Sequence, residues 1–249
     1  MTKENPFEAP QPVTFPPLFQ GQAVEGATDP FDKACALAAL GCDSGVLVHN
    51  VSADRLRAAI VFAPEVPLEQ AMSVLCACGI GFQNALGALA PPEVAVHLGW
   101  TGDLRVNGGV AGTLRAAAST NDPAAEPDWL VIGLTVDLIP PSQDDPGNQP
   151  DSTALYLEGC GDVSPIRLLE SWARHTLVWI NRLMEDSNQA LHAEWRGLAH
   201  GMGEDVAIDY NGETLSGTFL GVDEDFGMLI RDGETTHLVP LSSRLEGSS

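Results

Sequence analysis

Gly99-Trp-Thr-Gly-Asp-Leu-Arg-Val-Asn-Gly-Gly-Val-Ala-Gly-Thr-Leu114 reads as a β-hairpin entered through a tight turn. Leu104–Val106 and Val110–Ala118 alternate apolar and small or polar residues, and Asn107-Gly108 between them is the strongest hairpin signal in the chain. Arg105 lies two residues from Asp103, so strand alternation predicts both on one face of the sheet. Just upstream, Val94–Leu98 reads as a further strand; downstream, Trp129–Ile139 reads as a long one. Linkers of hairpin length between them predict a mixed or antiparallel sheet rather than a parallel one.

Working outward, Val46–Val51 and Leu56–Phe62 are two more strands joined by Ser52-Ala53-Asp54, and Leu68 to Leu89 is apolar nearly all round, a buried central helix. Asp29-Pro30 is an N-cap and first-turn proline for a helix through Phe31, Ala34 and Ala38. Residues 1–25 carry Pro6, Pro10, Pro12, Pro16 and Pro17 and predict an extended arm. Residues 140–153 predict a loop, and Tyr156–Cys160 a short strand or extended segment. A helix from Ser164-Pro165 with apolar positions through Leu183 is followed by a second over Asn188 to Leu198. After Gly201-Met202-Gly203, four short strands follow: Val206–Tyr210, Thr214–Val222, Gly227–Ile230 and Thr236–Pro240. Asn211-Gly212 and Asp232-Gly233 supply their tight turns. The chain thus divides into an arm (1–25), an α+β domain (26–200) and a small all-β domain with SH3-like spacing (203–249).

The 249 residues, 44% of them hydrophobic, suffice for one sizeable core and a small appended domain. No apolar run reaches the length of a membrane span, and the N-terminus lacks the apolar core of a secretory signal. Cys35, Cys42, Cys76, Cys78 and Cys160 form no disulfide or zinc pattern, which predicts reduced thiols in the cytoplasm. With 12 basic and 34 acidic residues the net charge is -22, which opposes binding to nucleic acids and anionic membranes. There is no P-loop, no G-x-G-x-x-G after a strand, no G-x-S-x-G and no H-E-x-x-H.

The stretch from Gly99 to Leu114 resembles the central motif of the biotin and lipoate protein ligases, K-W-P-N-D-(three or four residues)-G-x-K-x-A-G-I-L. Trp100, Asp103, Ala111, Gly112 and Leu114 keep the frame. Two further matches extend the resemblance over residues 26–245. Val131-Ile-Gly-Leu-Thr-Val-Asp137 is similar to the family strand V-I-G-I-G-I-N, with Gly133 kept and Thr135 and Asp137 in place of Gly and Asn. In the tail, Gly212, Gly217, Gly221, Asp223 and Gly227 fall at or near the places of the family's pattern. The resemblance implies a class II synthetase-like α+β domain with a mixed or antiparallel sheet packed with helices, plus a small C-terminal SH3-like barrel. It also implies a reaction in which a biotin- or lipoate-like carboxylate attacks the α-phosphate of Mg²⁺-bound ATP, and the acyl-adenylate passes to a lysine on a carrier protein.

The departures from the family are systematic. The motif's two lysines are Gly99 and Gly109, and its Pro-Asn pair is Thr101-Gly102. The family's Q-x-x-G-R-G-R-x-G loop, which wraps the biotin and the adenylate phosphate, is reduced to Asn50-Val-Ser-Ala-Asp54. Bringing a carboxylate against a polyphosphate needs cationic stabilisation, and losing one donor of that kind costs about 10²–10³ in rate. Arg57, Arg105 and Arg115 are the candidates to replace the lost cations; Arg105 and Arg115 read equally as solvated strand residues paired to acids. Asp103 matches a family carboxylate near the nucleotide and reads equally as a turn cap. Trp100 borders an adenine-sized site or packs in the core, and Asp137 either opposes an anion or helps hold a metal. Arg57, Trp100, Asp103, Arg105, Ala111, Gly112, Arg115, Gly133 and Asp137 therefore make up the candidate pocket. Three readings stand: a divergent ligase, a non-catalytic binder or sensor of a small carboxylate or nucleotide, and a structural or interaction protein with a filled pocket.

Overall fold

The computed structural model describes residues 13–140, 151–185 and 188–246. Seven strands form one mixed sheet in the order β1-β2-β3-β7-β6-β5-β4: β1 Gln20–Ala23, β2 Val46–Val51, β3 Arg55–Phe62, β7 Leu130–Asp137, β6 Gly109–Ala118, β5 Asp103–Val106 and β4 Val96–Leu98. Only the β1–β2 pair is parallel. Helix α1 (Pro30–Ala39) covers one face. The other face packs against the short α2 (Leu68–Ala71), α3 (Ser73–Gly87), α4 (Pro165–Glu185) and α5 (Gln189–Leu198). A second, four-stranded antiparallel sheet is built from β8 (Asp205–Tyr210), β9 (Glu213–Val222), β10 (Met228–Asp232) and β11 (Thr235–Val239). This is the α+β architecture, mixed sheet and extra C-terminal sheet that the sequence predicts.

Three local readings change. The arm contains a strand: β1 pairs with β2 from Gln20↔Val46 to Ala23↔His49, because the chain clears Pro16 and Pro17 before it reaches the sheet edge. Residues 1–12 of the arm and residues 141–150 of the 140–153 loop lie outside the described residues. Tyr156–Cys160 is a run of turns closed by Leu157 N–H to Ala154 C=O and Cys160 N–H to Leu155 C=O, not a strand. The central helix is broken at Met72 into α2 and α3.

Close helix contact explains the glycines of α3. A β-carbon at Gly81 would lie 2.5 Å from Thr176 Oγ1 and 2.9 Å from its backbone nitrogen, so α4 rests directly on the α3 backbone. The indoles of α4 then satisfy themselves on α3: Trp172 donates to Cys78 C=O (3.1 Å) and Trp179 to Asn84 Oδ1 (2.9 Å).

The C-terminal sheet meets the larger domain around Phe226, where Asn188 Nδ2 also donates to the Glu224 C=O (2.9 Å) and His192 Nε2 lies 2.9 Å from the Asp223 C=O. The tail pattern G-(I/V)-D-x-x-G places a glycine at position 226, and the residue there is Phe226, held at a left-handed φ of 63°. Gly227 does not take that conformation. The cost of a bulky residue in this region, about 1–3 kcal/mol, is offset by burial. The Phe226 ring is fully buried against Trp195 (6.1 Å, edge-on) and His192 (5.4 Å). Its carbonyl accepts the Trp100 indole N–H at 2.8 Å. Replacing Phe226 by Gly should relieve the backbone yet lose the larger burial energy of a core Phe, about 3–5 kcal/mol. The expected result is a net lowering of stability by about 2 kcal/mol, read as a lower thermal midpoint in calorimetry.

Candidate functional site

Strand register assembles the site. In β3, Leu56, Ala58 and Ile60 face the α3–α4 core, so Arg55, Arg57, Ala59 and Val61 face α1. The same alternation puts Thr135, Gly133 and Asp137 of β7, Thr113 and Arg115 of β6, and Asp103 of β5 on the α1 side. The pairings Asn50↔Arg57, Arg57↔Thr135, Thr135↔Thr113 and Thr113↔Asp103 then make one row across five strands. It reads Asn50–Arg57–Thr135–Thr113–Asp103. The neighbouring row toward α1 is Val48–Ala59–Gly133–Arg115, and the row on the other side begins Arg55–Asp137.

Helix α1 stops at the boundary of the polar row. The ring of Phe31 lies on Gly133, where a β-carbon would be 2.5 Å from Phe31 Cδ2. Arg115 stacks on that ring (4.3 Å to its centroid) and pairs with the N-cap Asp29 at 2.8 Å and with Glu246 at 3.5 Å. Burial pushes the Asp29 carboxyl up. The bond from Arg115, the Phe31 N–H and the nearby guanidinium charges outweigh it and leave it below its ordinary value. Gly133 and Arg115 therefore fix α1 and the C-terminal residues, and α1's remaining apolar positions bury Val46, Val48, Ala59, Val61 and Val131. The sheet beyond α1's N-terminus keeps its polar row.

At the β2 end of that row a cleft of about 620 Å³ opens, lined among others by Val24, Glu25, His49, Asn50, Asp54 and Arg57. It sits beside the 50–54 turn between β2 and β3. Asn50 is buried and bridges: its Nδ2 donates to Val24 C=O (2.8 Å) and its Oδ1 accepts from Arg57 Nη2 (2.9 Å). Arg57 Nη2 also approaches Gly26 C=O at 3.5 Å, and Arg57 Nε is buried with no partner. Among the described residues no carboxylate pairs with Arg57. Arg55 pairs with Asp137 (2.7 Å) and Arg115 as above; Arg105 donates to the Gly108 C=O of its own turn (2.8 Å), and its Nε, like that of Arg57, is buried with no partner.

Of the predicted pocket residues, the structure brings Arg57 and Asp103 into one row. Gly133 and Arg115 lie in the row under α1, and Asp137 is neutralised by Arg55. At Gly112 β6 lies close on β7, a β-carbon there falling 2.4 Å from Thr135 C=O; Ala111 is buried beside it. Trp100 faces the C-terminal sheet, and the cavity beside it, lined by Leu75, Cys76, Trp195 and Leu241, measures about 20 Å³. That is room for one water, in place of an adenine-sized site. Asn50, Thr113 and Thr135 were missed. The signal available for Thr135 was its departure from the glycine of the family strand.

Residues 15–197 match the biotin/lipoate A/B protein ligase family, and residues 202–247 match a domain of unknown function (DUF4444). Among solved structures, a biotin protein ligase-like protein of unknown function from Silicibacter sp. TM1040 is 61% identical over 94% of this chain and 99% of its own, with a TM-score of 0.87. Biotin protein ligase from Aquifex aeolicus shares the fold at 15% identity, with 91% and 97% of the two chains covered and a TM-score of 0.73. Its complex with biotin and ATP aligns at 16% identity over 90% and 96%, with a TM-score of 0.71. No curated protein matches the chain.

His49 gives the site a pH dependence. It is buried between the cleft and Phe15 (ring centroids 5.5 Å apart), and burial holds its imidazole below its ordinary value. The unfolded chain takes up the proton near pH 6.5 and the folded chain resists it, so stability is complete above that pH and falls as pH drops toward the lower folded value. In denaturant titrations from pH 7 to 5, His49→Phe should lose less stability than the unmodified protein.

Proposed function

Because the chain belongs to the biotin/lipoate A/B protein ligase family, we propose that it has kept the family's binding of a small carboxylate and lost its adenylating chemistry. The observation that carries this reading is the state of the arginines. One guanidinium, Arg57, is held by Asn50 at the cleft and among the described residues has no carboxylate partner; Arg55 and Arg115 pair with Asp137, Asp29 and Glu246, and Arg105 bonds its own turn carbonyl and does not line the cleft.

One guanidinium suits a monocarboxylate, which it binds with paired, charge-assisted hydrogen bonds. It does not suit a triphosphate. Glu25 and Asp54 line the same cleft, and a like charge at about 4 Å costs about 4 kcal/mol at an effective dielectric near 20. The positions of the motif's lysines are Gly99 and Gly109, and a β-carbon at Gly109 would already lie 2.7 Å from Thr153 Cγ2. The residues present thus do not fit Mg²⁺-ATP, and no step of this reading runs through it. A carrier protein has no part in it either. A volume of about 620 Å³ falls within the ordinary range of small-molecule sites. The free cysteines support a cytoplasmic location.

Isothermal titration with octanoate, lipoate and biotin, together with a pyrophosphate-release assay in Mg-ATP, tests the reading. At least one acid should bind. Arg57→Gln should weaken it by tenfold to a hundredfold, the worth of a charged hydrogen bond of about 1.5–3 kcal/mol. Pyrophosphate should stay at background. Release of pyrophosphate would restore the ligase reading, and absence of any binding would favour the interaction role.

A further inference from the structure

Helix α4 turns one side to solvent, and that side runs against the charge of the chain. The helix holds three of the 12 cations, Arg167, Arg174 and Arg182, and only two of the 34 acids, Glu170 and Glu185. Leu168, Leu169, Trp172 and Trp179 are buried, while all three arginines are exposed. The arginines are seven and eight residues apart, close to two turns each, and form a stripe with spacings of about 10 and 12 Å. Two contacts keep them available. Glu170 lies three residues after Arg167 and four before Arg174, the spacings at which helix side chains pair. The arm takes it up instead: its Oε1 accepts the Thr14 N–H (2.8 Å) and the Thr14 hydroxyl (2.9 Å). Arg182 lies over the buried Trp179 ring, 4.8 Å from its centroid, which steadies the guanidinium and leaves its hydrogen-bond donors unused. Among the described residues no carboxylate pairs with any of the three arginines. One turn from both Arg174 and Arg182 stands Val178, 47% exposed, a β-branched residue that adds little to helix propensity.

We infer that this face docks an acidic helix of a partner protein, its carboxylates on the arginines and an apolar side chain on Val178. The spacing selects the partner. Carboxylates two turns apart on a helix repeat at about 10 Å, which matches the stripe, and each guanidinium can take one through paired hydrogen bonds. Phosphates along a nucleic-acid strand follow one another at about 3.4 Å of rise, far closer than the arginines. The net charge of -22 also repels a polyanion or an anionic membrane at long range. A helix with a few carboxylates around an apolar centre brings little of that charge. The inference stands apart from the carboxylate reading at Arg57, but the two surfaces adjoin: Ile166, in the first turn of α4, lines the cleft.

The test is an NMR titration of the intact, isotope-labelled protein with an alanine-based helical peptide that carries glutamates two turns apart and a leucine between them. Amide shifts should map to α4. The double variant Arg174→Glu, Arg182→Glu should bind about tenfold more weakly, since each reversal removes an attraction and adds a repulsion. Arg231→Glu, the same charge change at an exposed position of the C-terminal sheet, should leave the affinity unchanged, and thermal melts show that the variants fold. Equal binding of a peptide whose glutamates are scattered round the helix overturns the inference, as does the absence of shifts along α4. A single-stranded oligonucleotide or phosphatidylglycerol vesicles binding more tightly than the peptide would assign the face to a nucleic acid or a membrane and overturn it. A dimer in sedimentation that the double variant dissociates would assign the face to a second copy of the chain, and overturn it as well.

Discussion

The contact between Phe31 and Gly133 decides where this molecule is closed and where it is open. Glycine at 133 lets an aromatic ring lie directly on the sheet, and any larger residue would push that ring away by its β-carbon alone. With the ring in place, Arg115 covers it and bonds Asp29, so the first turn of α1 is fixed at that row. Everything α1 buries lies on one side of the contact. The polar row lies on the other, two residues further along each strand, and could not remain open if α1 began one turn earlier.

The two faces of the sheet have separate fates. On the α3–α4 face the space beside Trp100 is taken by Phe226, Trp195 and Leu241, which leaves a cavity of about 20 Å³. The strained backbone of Phe226 is the local cost of that seal, and the bond from the Trp100 indole holds it. Phe226 thereby stands at the junction of the C-terminal sheet and α5, packed on His192 and Trp195. On the α1 face Arg55 and Arg115 are neutralised by acids and Arg105 bends back onto its own turn carbonyl, so Arg57 is the guanidinium at the cleft without a carboxylate partner among the described residues.

Most of the architecture was legible because its signals are local. Asn107-Gly108, Asn211-Gly212 and Asp232-Gly233 announce their hairpins, and Asp29-Pro30 announces α1. Strand β1 was hidden by the prolines around it, since its four residues form a strand only by borrowing the edge of β2. The site was half legible. Arg57 and Asp103 are conspicuous as single residues, but their alignment depends on β7 entering between β3 and β6, a long-range pairing that no local pattern encodes. Asn50, Thr113 and Thr135 become site residues only through that pairing. Arg115 and Asp137 read as ligand groups in the sequence because the partners that neutralise them are far along the chain: Asp29 at the helix cap and Glu246 for Arg115, Arg55 on β3 for Asp137.

The central claim is that one end of the α1 face binds a carboxylate through Arg57 and that the Trp100 side does not. A crystal structure of the protein soaked with 8-bromooctanoate tests it most directly, because the bromine's anomalous signal marks the tail independently of the carboxylate. The account predicts the carboxylate on the Arg57 guanidinium beside Asn50, with the bromine inside the cleft lined by Val24 and His49. A carboxylate seated beside Trp100 and Phe226, or bound with Arg57 untouched, would contradict it.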